Sequence, residues 1–174
     1  SLPDPHGSGL LGVYYDNPDF TEPRLARIEP VNFDWSLGSP GPGLGADTFS
    51  VRWSGKIVPR YTGNYRIFTV SDDGIRVWID GFLLMDAWND HPPTEYYGDY
   101  PLEAGREHDF LIEMYENGGG AVAKLLWQSD CQPKEVVPAS QLLQAQIDCP
   151  TPNRPRFAAN FIYGRPPGLS LFGS

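Results

Sequence analysis

Apolar and polar positions alternate with period two over much of the chain. Phe49, Val51 and Trp53 interleave with Ser50, Arg52 and Ser54, the spacing of a strand with one buried face. Residues 61–64 (YTGN) read as a turn, and 65–70 as a second strand rich in aromatic and β-branched side chains. Residues 71–74 (SDDG) interrupt it and 75–79 resume it. Asp80-Gly81 predicts a tight hairpin, because that turn needs positive φ at both central positions, and 82–85 return. Loop 86–94 leads to a strand at 95–102, turn 103–106 to a strand at 107–115 with Phe110, Ile112 and Met114 on one face, and turn 116–120 to a strand at 121–127. Upstream, LLGVYY at 10–15 opens the series, and 16–48 reads mostly as loop ending in SLGSPGPGLGA. Residues 136–143 (VVPASQLL) close the body with a strand end and a short helical turn. Short strands with turns every eight to twelve residues predict an all-β, antiparallel sandwich or barrel.

Each antiparallel strand carries the chain to the opposite end of the body. Counting from the end of strand 65–70, loops 71–74, 86–94 and 116–120 therefore share one rim, while turns 80–81 and 103–106 lie at the other end. The rim loops hold Asp72, Asp73, Asp86, Trp88, Asn89, Asp90, His91, Glu116 and Asn117.

Composition agrees with this layout. The chain has 174 residues, enough for one sizeable core; its 19 Gly and 18 Pro disfavour a helical bundle, and 5 Trp, 9 Tyr and 9 Phe can fill the core of a β fold. A net charge of -9 argues against a nucleic-acid partner. No apolar run approaches the ~20 residues of a membrane span and Ser1 opens no signal peptide, so the chain as given is expected to be soluble, without membrane insertion. The charge is uneven: residues 72–116 hold twelve carboxylates against Arg76 and Arg106, a net of −10, and the remainder nets +1.

Carboxylates and an amide on converging loops suit a hard cation, and Ca²⁺ takes about 6–8 oxygen ligands in irregular geometry. Asp72-Asp73 is the sharpest element. Neighbours on a regular strand point to opposite faces, so both side chains reach one ion only if the backbone bends or the peptide between them is cis. The alternative is a tight turn in which Asp caps its own backbone before Gly74. Asp86 and Asp90 read as solvated or turn-capping carboxylates, and Asp80 as a turn residue. Trp88 is either a loop aromatic that covers a ligand or a side chain packed beneath the loop. No compact catalytic triad, zinc spacing or phosphate loop appears, so the chain is expected not to be an enzyme.

The segments GLLGVYYDNPDF, YTGNYRIFTVSDDGIRVWIDG, DAWNDHPPTEYYG, LEAGREHDFLIEMYENGGGAVAKLLW and VVPASQL, in this order, resemble the PA-fourteen (PA14) domain over about Leu10 to Leu143. The resemblance implies a β-sandwich with long loops at one end, found in secreted glycosidases, toxins, flocculins and surface adhesins as a binding or scaffolding unit. In the sugar-binding members a cis-linked aspartate pair holds a calcium ion that ligates sugar hydroxyls, and Asp72 and Asp73 match that pair. Tyr115-Glu116-Asn117 matches the second calcium loop, which implies Asn117 and the carbonyls of Gly119 and Ala121 as further ligands. Gly118-Gly119-Gly120 departs from the bulky residues of the flocculin loop. The expected function is thus a calcium-dependent lectin or adhesin module of a larger secreted or cell-surface protein, with Asp72, Asp73, Trp88 and Asn117 contacting a glycan and neighbouring domains as further partners. The alternative is a non-catalytic structural or protein-binding module without sugar binding.

Three further expectations concern organisation. Residues 1–8 form a lead-in, 9–149 the sandwich, and 150–174 a Pro-rich linker or a docking tail whose Phe157, Phe161, Tyr163 and Phe172 engage the body or a partner. Cys131 and Cys149 are expected to pair, given the secreted setting that the resemblance implies; the alternative is two unrelated thiols. His6, His91 and His108 are scattered and read as surface or hydrogen-bonding side chains.

Overall fold

The computed structural model describes residues 6–146. In chain order the strands are β1 (Leu10–Tyr15), β2 (Pro23–Glu29), β3 (Asn32–Ser36), β4 (Phe49–Ile57), β5 (Gly63–Asp72), β6 (Ile75–Ile79), β7 (Phe82–Ala87), β8 (Thr94–Leu102), β9 (His108–Glu116), β10 (Ala121–Gln128), β11 (Glu135–Val136) and β12 (Leu142–Gln144), with one 3-10 turn at Ala139–Gln141. They form two antiparallel sheets. The first runs β2-β1-β4-β9-β6-β7, and β12 continues the β1 edge of β4; the second runs β11-β10-β5-β8, and β3 shares the β11 edge of β10. The expected all-β sandwich is the observed architecture.

Alternation decides which side chains fill the space between the sheets. From the first sheet come Tyr14, Val51, Trp53, Val77, Phe110, Ile112 and Met114, and from the second Tyr65, Ile67, Leu125 and Trp127, all inside one buried cluster. The Asp80-Gly81 hairpin forms as expected, with φ of 47° and 78°. Asp80 is also more than a turn residue: its carboxylate meets Nδ1 of buried His108 at 2.8 Å and accepts the Asp109 N–H, tying the hairpin to β9.

The structure departs from the sequence reading in 16–48, where β2 and β3 replace the expected loop. In β2 the polarity is inverted. Arg27 and Glu29 occupy the same face as Leu25, opposite Gly12 and Leu10 of β1, while Ala26 and Ile28 point outward. The charges are tolerated because they are partnered: the buried Glu29 carboxylate accepts hydrogen bonds from the Tyr14 hydroxyl and from Trp53 Nε1 (2.9 Å), and pairs with Arg27 at 3.0 Å. Burial, reinforced by the Glu29 charge, holds the Tyr14 phenol far above its ordinary range. β3 does alternate, with Phe33 and Trp35 packed against the core, but over only five residues. Cys131 is exposed and free, and its expected partner Cys149 lies outside the described residues.

The Glu29 cluster joins β1, β2 and β4. Glu29→Ala leaves a phenol, an indole N–H and a guanidinium without their acceptor, so it is expected to cost about 3 kcal/mol. Urea unfolding checks this, with a lower midpoint and an unchanged slope.

Candidate metal centre

Three connections cross from one sheet to the other at the same end: 73–74 between β5 and β6, 88–93 between β7 and β8, and 117–120 between β9 and β10. Asp73 fastens them together. One of its carboxylate oxygens accepts the His91 N–H at 3.0 Å and the other the Asn117 N–H at 2.9 Å. The rim expected from strand parity is therefore present. A fourth connection, 37–48 between β3 and β4, joins it through Asp47, which accepts the Gly119 N–H at 3.1 Å.

The Asp72–Asp73 peptide is cis, and oxygens of Asp72, Asp73 and Glu116 lie within 4.8 Å of one another. Gly74 keeps the turn close to β9, since a Cβ there would meet the Tyr115 ring at 2.1 Å. The bend brings both aspartates to one site, as the cation reading requires. Glu116 is the third carboxylate, and it is the functional candidate that sequence reasoning passed over. It is fully buried, and beyond a weak contact from the Gly118 N–H neither of its oxygens has a hydrogen-bond partner among the described residues. Its signal was available, because Glu116 continues the inward series Phe110, Ile112, Met114 on β9. Burial, followed by the charges of Asp73 and Asp72, raises its carboxyl to about 7, with the Gly118 N–H acting weakly the other way. Burial and the neighbouring Asp73 carboxylate likewise push Asp72 up.

The other expected residues fall into different roles. Asn117 stands on the rim, but its side-chain amide donates to Asp90 at 2.8 Å, and Tyr115 donates its hydroxyl to the same carboxylate at 2.6 Å. These two hydrogen bonds hold Asp90 below its ordinary range; they make it a brace between loop 88–93 and β9, more than a solvated carboxylate. Gly119 has φ of 107° and donates its N–H to Asp47, and Ala121 is buried where β10 pairs with β3 opposite Ser36. Trp88 is packed: the Arg76 guanidinium lies 3.7 Å from its ring centre, Tyr115 meets it edge-on at 4.7 Å and Phe20 stacks at 6.0 Å. Arg76 and Arg52 are both held by the buried Glu113 carboxylate. Trp88 thus anchors the rim loop on the first sheet.

The donor set is all oxygen and carries up to three negative charges, which fits a hard cation such as Ca²⁺ and suits thiophilic metals poorly. The buried Glu116 carboxylate, with only the weak Gly118 N–H contact beside it, is the observation that tests the fit: a cation would satisfy it there.

A two-sheet antiparallel body with an acidic crossover rim defines a β-sandwich module. The chain belongs to the PA14 domain family, whose sequence model matches residues 6–141. It is 46% identical over 149 residues to anti-sigma-I factor RsgI3 of Acetivibrio thermocellus, covering 85% of this chain and 23% of that protein. A solved anti-sigma factor domain-containing protein is 44% identical with a TM-score of 0.80, covering 84% of this chain and 50% of the other. The chain therefore spans a quarter to a half of these relatives. The PA14 sugar-binding domain from an RTX adhesin superposes with a TM-score of 0.64 at 16% identity, covering 79% of this chain and 98% of that one, and shares the fold alone.

These relatives correct the sequence reading. The expected lectin and cell-adhesion function, with a glycan as partner, is overturned by relatives of 44–46% identity that are anti-sigma factor proteins. The alternative, a module without sugar binding, agrees better with them.

Glu116 sets a pH dependence. Its folded pKa of about 7 lies above the ordinary 4.5, so the folded state binds more protons between these values and loses stability as pH rises through them. In chelator, the wild-type melting temperature is expected to fall between about pH 4.5 and 7 from this group, and Glu116→Gln to remove that component. Melting curves across this range, with both proteins in the same buffers, provide the check.

Proposed function

We propose that the chain is a non-catalytic, protein-binding module of an anti-sigma type regulator, and that its rim holds one Ca²⁺ ion. The observation that carries the first part is the 46% identity to an anti-sigma-I factor across 85% of the chain. On this reading the partner is a protein of the sigma-factor system rather than a glycan.

Calcium is supported by the carboxylate trio. Asp72, Asp73 and Glu116 would hold the ion, with Asn117 and the backbone of Gly119 and Ala121 as further oxygen donors. The ion would supply positive charge where three carboxylates converge, and so fix the three crossovers to one another. Asp73 orients the loops through its two accepted hydrogen bonds, Asp90 steadies Asn117 and Tyr115, and Trp88 pins loop 88–93 to the first sheet.

Calorimetric titration of the chain with the sigma factor of its own organism tests the partner. Saturable binding is expected. No binding to the chain, combined with an unchanged sigma affinity when residues 6–146 are deleted from the parent regulator, would contradict the proposal. For the ion, saturating Ca²⁺ should raise the wild-type melting temperature by about 5–10 °C, from ligand linkage in a domain of this size. The Asp72→Ala, Asp73→Ala double variant should show no such rise.

A further inference from the structure

The outward face of the first sheet carries an apolar row that crosses all six strands. Register places Ile28 beside Leu11, Leu11 beside Ser54, Ser54 beside Leu111, Leu111 beside Trp78, and Trp78 beside Leu83. The core lies on the opposite face of this sheet, so these side chains point away from the second sheet. The middle of the row is nevertheless buried. Leu11 and Ser54 are 1% exposed, Leu111 3% and Trp78 6%, whereas the two ends, Ile28 and Leu83, are 39% and 43% exposed. Leu111 and Trp78 join neither of the two apolar clusters formed by the described residues. Ser54 Oγ is buried mid-row without a hydrogen-bond partner.

The described chain leads onto this face. β12 runs beside β4 as far as Gln144, where β1 occupies the next position on the ladder. Ala145 donates its N–H to the Ser54 carbonyl at 3.1 Å and packs with Leu11, Val13 and Tyr15 on the outward side. Residues 147–174 follow, with Phe157, Phe161 and Tyr163 among them and with Arg154, Arg156 and Arg165 against the single acid Asp148. The body they follow is strongly acidic.

We propose that the segment 147–174 docks across the outward face of the first sheet, its aromatic side chains lying along the Leu11–Ser54–Leu111–Trp78 row. Six strands span about 24 Å, which roughly eight extended residues cross, so the reach is ample. Within the row, burial extends over the four middle strands and falls off at Ile28 and Leu83, a span that the segment can cover. Tethering at Ala145 favours this segment over a free partner, because a linked group acts at an effective concentration in the millimolar range. A backbone N–H of the segment would satisfy the Ser54 hydroxyl. The tail is then a docking element and not a spacer.

Hydroxyl-radical footprinting of the full chain tests this, using the triple variant Phe157→Ser, Phe161→Ser, Tyr163→Ser, whose changes lie outside the sandwich core. In the wild type, Leu111 and Trp78 should react far more slowly than exposed Leu37. In the variant their reactivity should rise severalfold while buried Trp53 and Trp127 stay unchanged, which separates undocking from unfolding. Equal protection in both proteins would overturn the proposal, as would Leu111 and Trp78 reacting as freely as Leu37 in the wild type. Protection that disappears on dilution of the wild type would assign the cover to a second copy and overturn it as well.

Discussion

The Asp73 carboxylate is the point on which the rim depends. A buried charge is tolerated where hydrogen bonds replace its water, and Asp73 obtains two of them from backbone N–H groups on two other crossovers. Three passages between the sheets are thereby held by one side chain. The same convergence sets Asp72 and Glu116 against it, and Glu116 is left with only the weak Gly118 N–H contact among the described residues. Solving the problem of joining the loops concentrates negative charge in a space that only a proton or a cation neutralises.

The acidity of the central segment resolves into two populations. Several of its carboxylates are paired along the sheets: Glu113 with Arg52 and Arg76, Asp99 with Arg66, Asp109 with Lys56, Glu95 with Lys134. The pairs of Asp99, Asp109 and Glu95 lie at the surface, where each is worth little individually, whereas the buried Glu113 depends on its two arginines. The rim trio differs: among the described residues it enters none of these pairs with Lys or Arg. Net charge by segment thus pointed to the right region, but pairing decides which acids remain available for an ion.

Strand alternation and hairpin chemistry made most of the fold legible. Strands β4 to β10 lie close to where period-two patterning put them, and strand parity placed the three acidic loops together before any contact was known. β2 was invisible because its inward positions hold Arg27 and Glu29, which only the distant Tyr14 and Trp53 make tolerable. Asp47 was missed for a related reason: with β3 not recognised ahead of it, loop 37–48 had no assigned start. Glu116 was legible from its parity with Met114 yet was overshadowed by Asn117, whose side chain turns to Asp90. The family resemblance was a sound guide to the sandwich and a poor one to the partner. A fold persists at 16% identity, so likeness to a sugar-binding domain at that level carries the sandwich and not its ligand.

The most direct test of the cation site is diffraction from crystals of the chain grown with Ca²⁺, with anomalous data to locate the ion. The account predicts one ion bonded to Asp72, Asp73 and Glu116 at about 2.3–2.6 Å. An empty trio at saturating calcium, or an ion bound elsewhere with Glu116 still unpartnered, would contradict it.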